Sequence, residues 1–179
     1  MVVRITMPAQ PATVSQNGEN AKTLADILVD QGGLSAARAQ EVKMAEVQSG
    51  RSQEDILTSQ NLVDEEDLTK AKAFLYNIPF VDLTMLPSDP EALNTLPLEV
   101  AEKFRVYPIA IDKANKQLTL AMADPLDLTA IEFVEQKTNL RVKPEAAVPS
   151  AVDEFLSTRY SNTLYQEVTE ALKEVAPEE

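Results

Sequence analysis

The most constraining feature of the sequence is a segment that repeats with a period of 29 residues. Residues 23–35 (TLADILVDQGGLS) align without a gap with residues 52–64 (SQEDILTSQNLVD). Gly32 aligns with Asn61, and these two residue types most readily adopt the left-handed conformation that ends a helix. The last residues of the two segments, a serine and an aspartate, are both favoured N-caps. Each unit is therefore predicted to form a helix, a tight turn and a second helix, and the two helix pairs to pack as a small bundle.

After an apolar, proline-bounded junction at 76–87 the sequence changes from helical to mixed periodicity. Alternating apolar residues predict three strands, at 106–112, 117–123 and 140–147. Apolar residues at helical spacing predict three helices, at 97–104, about 125–137 and 150–160. Asn115 is the predicted left-handed residue of the first hairpin loop. Leu128 is predicted to lie on the buried face of its helix. The fold class is α+β, with a small N-terminal bundle of two repeated helix pairs followed by a small three-stranded sheet packed with helices.

Composition and periodicity divide the chain into four parts. These are a flexible leader (1–20), a helical tandem-repeat domain (21–83), an α+β domain (84–160) and an amphipathic helix with an acidic tail (161–179). In the last part the apolar residues that recur at helical spacing opposite glutamates are Leu164, Val168, Leu172 and Val175. Because so short a helix is marginal by itself, these are the candidate partner-binding residues, or they pack back on the α+β domain.

The residue types that are missing exclude several classes of function. The chain has four glycines, no two of them five positions apart, so it holds neither a Walker A loop nor a G-x-G-x-x-G sequence. It has no cysteine and no histidine, which excludes zinc sites of thiolate or imidazole and the common catalytic triads. The acidic runs at 54–55 and 65–67 are explained as first-turn residues that favour the helix dipole. No catalytic residue, no metal ligand and no enzymatic activity are therefore predicted.

The net charge of −13 constrains the partners. It disfavours nucleic acid and anionic lipid surfaces, which are bound through lysine and arginine, and favours partners with basic patches. No apolar run approaches the roughly 18 residues of a transmembrane helix, and the N-terminus lacks the apolar region of a signal peptide. These features predict a cytoplasmic protein without direct membrane insertion.

Three segments together resemble a known family. The tandem repeat, the IPFVDL junction and LTLAMADPLD at 118–127 are similar to the N-terminal domain of type II secretion and type IV pilus assembly ATPases of the GspE/PilB/MshE type. In that family a helical part, called the MshE N-terminal domain, and an α+β part precede a hexameric motor, whose Walker boxes this chain lacks. The resemblance implies a non-catalytic docking and regulatory domain. Its implied partners are the cytoplasmic part of an inner-membrane platform protein, which would hold it at the periphery of that membrane, and the downstream ATPase motor domain.

The resemblance also implies an alternative function, because some members sense cyclic di-GMP through two copies of the motif R-L-G-x-x-L-V-x-x-G-x-I…L…Q. Here the matching positions that are candidate ligand contacts are Leu24, Leu28, Val29, Gly32 and Leu57. The positions that depart from the motif include Thr23 and Ser52 for arginine, Ala25 and Glu54 for glycine, Gln53 for leucine, and Glu46 and Leu75 for glutamine.

These departures bear directly on ligand binding. A dianionic ligand needs guanidinium forks and a closely approaching backbone, and here both arginines are replaced and carboxylates are added. Lys22 and Arg51, each one residue before a lost arginine, compensate only in part. We therefore expect no cofactor, and the alternative is a cyclic di-GMP sensing module with a degenerate motif.

Overall fold

The computed structural model describes residues 21–160, which form eight α-helices and one three-stranded sheet. The helices are α1 (Leu24–Asp30), α2 (Ala36–Ser49), α3 (Gln53–Ser59), α4 (Glu65–Leu75), α5 (Pro90–Asn94), α6 (Leu98–Phe104), α7 (Leu128–Thr138) and α8 (Pro149–Phe155). The strands are β1 (Val106–Asp112), β2 (Gln117–Met122) and β3 (Arg141–Ala146). The predicted leader at 1–20 and the predicted helix at 161–179 lie outside the described residues. Within 21–160 no helix has the length and hydropathy needed to cross a bilayer.

The predicted repeat is confirmed in the backbone. Helices α1 and α3 have seven residues each and start 29 positions apart, as do the starts of α2 and α4. Gly32 and Asn61 end the first helices of the two units with φ of 80° and 48°, in the left-handed region. The N–H of the residue that follows each of them donates to the carbonyl of Leu28 (2.9 Å) or Leu57 (3.0 Å). Both turns thus satisfy the free carbonyls at the helix end in the same way.

The two helix pairs share one hydrophobic core. Leu28 and Leu57, from equivalent positions of α1 and α3, are both completely buried, and α1 contacts α2, α3 and α4. The other buried members of this core are Leu24, Ala25, Ile27, Leu34, Ala39, Val42, Ile56 and Ala71. We call residues 21–75, which contain this core, the helical bundle.

The second half of the described chain is built on the sheet. Strand β2 is central, antiparallel to β1 and parallel to β3. Pro108 lies on β1, an edge strand with an irregular register between Pro108 and Ala110, as expected for a residue without an N–H. Leu118, Leu120 and Met122, the alternating residues of the strand predicted at 117–123, lie on β2 and are completely buried. We call residues 81–160, whose apolar residues surround these strands, the sheet unit.

The outer edge of β3 is closed. Three of its residues, at alternate positions, have their backbone nitrogen on the side away from β2. Val142 donates its N–H to the Glu135 carboxylate (2.9 Å), Pro144 has no N–H, and Ala146 donates to the carbonyl of Pro79 (2.7 Å). Donors at this edge are therefore either paired or missing, which blocks the addition of another strand.

A carboxylate joins the helical bundle to the sheet unit. Helix α8 follows Val148, which has no side chain able to cap it. Instead Glu65, the first residue of α4, accepts hydrogen bonds from the Ser150 hydroxyl (2.6 Å) and the Ser150 N–H (3.3 Å). A free N–H at the start of α8 is thus satisfied by a residue of the other half of the structure.

Two local predictions are wrong. In the loop between β1 and β2 the left-handed residue is Lys116 (φ 51°) and not Asn115. The Asp112 carboxylate accepts bonds from both the N–H and the side-chain amide of Asn115 and holds that residue in the turn, so the chain reverses one position later. Leu128 is 69% exposed, because it lies about 120° around α7 from the buried Val134 at 3.6 residues per turn.

We predict that Leu57→Ala destabilises the protein strongly, since it removes a fully buried side chain from the centre of the bundle. The expected loss is about 2–5 kcal/mol in the free energy of unfolding, from lost burial and the remaining cavity. Urea denaturation followed by circular dichroism measures it. Leu128→Ala, at an exposed position, is the matched control and should change stability by less than about 0.5 kcal/mol. Equal effects of the two substitutions would contradict the described core.

Candidate interaction surfaces

Most residues predicted to contact a nucleotide lie inside the bundle. Leu28 and Leu57 are completely buried and Leu24 is nearly so. Val29 is half-buried, and Gly32 is exposed in the turn after α1. The three leucines therefore contribute packing, and only Val29 and Gly32 offer surface to a ligand in this arrangement.

The two positions at which the related motif has arginine are N-caps here. Thr23 caps α1 through a capping box, in which its hydroxyl accepts from the N–H of Asp26 and its own N–H donates to the Asp26 carboxylate. Ser52 caps α3 by accepting from the N–H of Asp55 (3.1 Å). Both side chains are thus engaged with the first turn of their own helix.

Other positions that depart from the motif bind one another. The Gln53 amide donates to the Glu46 carboxylate (2.6 Å) and accepts from the N–H of Ala25 (2.9 Å), so it satisfies the start of α1 from α3. The Glu54 carboxylate accepts from the Lys72 ammonium (2.6 Å). The replaced positions therefore form internal contacts that link α1, α2, α3 and α4.

A cleft of about 560 Å³ opens between α1 and α2. Its two lysines are both paired: Lys22 with Asp30 (2.6 Å) and Lys43 with Asp26 (2.5 Å). The hydrogen bond from Lys43, followed by that from the Thr23 N–H, lowers the pKa of Asp26 to about 2. With two cations held by two carboxylates, this cleft offers no excess positive charge to an anion. Arg51 lies at the equivalent place in the second unit and donates to the Asp55 carbonyl and the Ser59 hydroxyl.

A groove with apolar walls runs along α4 to the junction that follows it. We call it the α4 groove; it has a volume of about 530 Å³, and its lining residues are Gln31, Asp67, Lys70, Ala73, Phe74, Ile78 and Phe80. The Phe74 side chain is 67% exposed, an unusual exposure for a large apolar residue. The Lys70 ammonium lies 5.4 Å from the centre of the Phe80 ring and donates to the Glu66 carboxylate. Sequence reasoning missed this groove, although the apolar residues at 74, 78 and 80 beside a proline were a signal for it.

Two further predictions concern metal binding and the C-terminal segment. Among residues 21–160 no cluster of three or more acidic side chains is arranged to hold a metal ion. The predicted partner-binding residues Leu164, Val168, Leu172 and Val175 lie outside the described residues, so their role stays a prediction.

The fold of residues 21–160 is similar to that of solved N-terminal domains of type IV pilus and type II secretion ATPases. A structure of MshE with cdg (cyclic di-GMP) matches with a TM-score of 0.60 and 28% identity, over 78% of this chain and 99% of that chain. The N-terminal domain of XpsE matches with a TM-score of 0.53 and 25% identity, over 75% of this chain and 91% of that chain.

The family is established by sequence as well. The model of the MshEN domain family matches residues 76–166, and the chain belongs to this family. The match covers the junction and the sheet unit, and not the helical bundle to which the resemblance gave that name. The type IV pilus assembly ATPase PilB of Thermus thermophilus is 28% identical over 78% of this chain, and PilB of Myxococcus xanthus is 23% identical over 77% of it. This chain spans only 16% and 24% of the length of these two relatives, and is similar to their N-terminal region.

We predict that Asp26→Asn reduces the free energy of unfolding at neutral pH by about 1 kcal/mol. The asparagine side chain can still accept from the Thr23 N–H in the capping box, but it cannot form an ion pair with Lys43. More than a third of the Asp26 side chain is exposed, so solvent screening keeps the effect small. Folding lowers the pKa of Asp26 from 3.8 to about 2, so its stabilisation is complete above pH 3.8 and is lost as the pH falls towards 2.

Urea denaturation at several pH values between 7 and 3 checks this prediction. The difference between the wild type and Asp26→Asn should shrink towards the acidic end. Asp64→Asn is the control, because asparagine is an equally good N-cap and the Asp64 side chain makes no capping hydrogen bond. A difference that stays constant over the whole range would show that the Asp26 charge contributes nothing.

Proposed function

We propose that this chain is a non-catalytic docking and regulatory domain of a type II secretion or type IV pilus assembly ATPase. Its partner is the cytoplasmic part of an inner-membrane platform protein. The observation that carries the proposal is the similarity of the chain to the N-terminal region of pilus ATPases, of whose length it spans a sixth to a quarter. The rest of such an ATPase, the motor domain, is its second proposed partner.

The contact between the two halves of the structure supports a docking role. Glu65 of the bundle caps α8 of the sheet unit through Ser150, and Phe80 of the junction pairs with Ala146 of β3. Contacts on both sides of the junction hold the two halves in one arrangement. A partner bound to one half can therefore displace the segment that is joined to the other half. This transmitted displacement is the mechanism that we propose for regulation.

The charge of the chain supports a protein partner with basic surface. The net charge of −13 attracts basic patches and accelerates their encounter. The same charge repels nucleic acid and anionic lipid, so the attachment to the inner membrane that we propose is indirect, through the platform protein.

We predict that the chain and the cytoplasmic domain of its platform protein form a one-to-one complex, with a dissociation constant in about the micromolar range. Isothermal titration calorimetry and co-purification measure the complex. A domain of an unrelated protein with the same net charge as the platform domain is the control for non-specific attraction. Absence of any complex at tens of micromolar would overturn the docking proposal.

A second candidate function is the sensing of cyclic di-GMP. The observation that favours it is the match with MshE solved with this ligand. Against it stand the N-caps at the two arginine positions and the paired lysines of the cleft between α1 and α2. We rank it second because a ligand would have to displace these contacts without gaining a guanidinium fork.

We predict that titration of the chain with cyclic di-GMP gives no saturable heat at concentrations up to about 100 micromolar. The reason is the balance of charge in the cleft, where Lys22 and Lys43 are held by carboxylates. GMP is the matched control ligand. Heat that saturates at one cyclic di-GMP per chain, and not with GMP, would reverse the ranking of the two functions.

A further inference from the structure

The α4 groove combines an exposed aromatic side chain with a carboxylate, that of Asp67, which makes no hydrogen bond within residues 21–160. Phe74, Ile78 and Phe80 form its apolar walls. Asp67 is half-buried on its lining and accepts no hydrogen bond from any residue of the described part of the chain. Gly33 packs directly against it, since a Cβ at that position would lie 3.2 Å from the Asp67 Cβ. A half-buried carboxylate on a groove that also has aromatic walls is suited to a cation with an apolar neighbour.

The charge around the groove is negative. Lys70 is its one lining cation among the described residues, and it already binds Glu66 and lies over the Phe80 ring. Glu66, Asp67 and Asp82 all lie close enough to Lys70 to raise its pKa. Three carboxylates thus surround one lysine, and the excess negative charge favours a basic occupant.

This charge distinguishes between three possible occupants. The C-terminal segment of this chain, 161–179, carries five carboxylates and one lysine, so the groove repels it. A second copy of the chain has a net charge of −13 and is repelled as well. A basic partner is favoured by the local and the overall charge alike.

We propose that the α4 groove binds a helical segment of a partner protein that presents a bulky apolar side chain to Phe74 and an arginine or lysine to Asp67. Helices dock in apolar grooves through side chains at i, i+3 and i+4, which fits a groove open to solvent along α4. The inference deepens the proposed function, since it rests on a protein partner and assigns the surface that meets it.

The test compares two groove variants with two matched controls in the full chain. Phe74→Ser removes the aromatic wall, and Val47→Ser removes an apolar side chain of α2 that lies outside the groove and is even more exposed. Asp67→Asn removes the groove carboxylate, and Asp64→Asn removes one negative charge at the start of the same helix. Calorimetry with the cytoplasmic domain of the platform protein should show affinity weakened about tenfold by Phe74→Ser and about fivefold by Asp67→Asn, and within about twofold of wild type for both controls.

A second probe separates failure of the groove from failure of the proposed function. It is a synthetic helical peptide with leucines on one face and a flanking arginine, added to the isotopically labelled chain and followed by NMR. Saturable shifts at Phe74 and Ile78 that Phe74→Ser abolishes support the groove even if the platform domain does not bind. If the groove variants bind both probes like the wild type, the groove is not the binding surface. The docking function would still hold in that case, provided that the platform domain binds the wild-type chain.

Two further outcomes would assign the groove to another occupant and so overturn the proposal. Groove resonances that move when the chain is diluted would indicate a second copy. Groove resonances that move in the variant Val168→Ser of the full chain would indicate its own C-terminal segment. Unchanged groove resonances in both experiments are the expected result.

Discussion

The rest of the structure depends on a left-handed backbone conformation that few residue types adopt easily. Gly32 and Asn61 turn the chain into the left-handed region after seven-residue helices, and each turn is closed by a hydrogen bond back to Leu28 or Leu57. The same two leucines fill the centre of the bundle. Turn and core are therefore set by the same short segment, which allows helices too short to be stable alone to fix their direction and their packing together. The start of α4, and with it the Glu65 carboxylate, is placed by the second of these turns.

The positions that depart from the related nucleotide motif take part in internal contacts of the bundle. The apolar and turn positions remain because the core requires them. At the variable positions, Thr23 and Ser52 cap helices, while Gln53 and Glu46 bind each other across the helix pairs. Each of these side chains satisfies a polar group of the bundle. The internal contacts thus stabilise the bundle through its own residues.

The repeat, the three strands and the fold class could be predicted from the sequence because local rules decide them: turn chemistry, capping and alternation. Four features could not be predicted in this way. The parallel pairing of β2 with β3 depends on where α7 returns the chain, and α5 is too short to show periodicity. The exposure of Leu128 depends on which face of α7 meets the sheet. The α4 groove needs Gln31, Asp67 and Phe80 to meet from three separate segments, a long-range arrangement that no window of the sequence contains.

The closed edge of β3 has a consequence for molecules that work in crowded assemblies. With the N–H groups of Val142 and Ala146 bonded and Pro144 without one, neighbouring copies find no free donor at these three positions from which to extend the sheet. Contacts there must be made by side chains, which can be specific and reversible, whereas strand pairing is sequence-tolerant and tends to propagate. Many copies can thus be held side by side at high local concentration without growing into a continuous sheet through this edge.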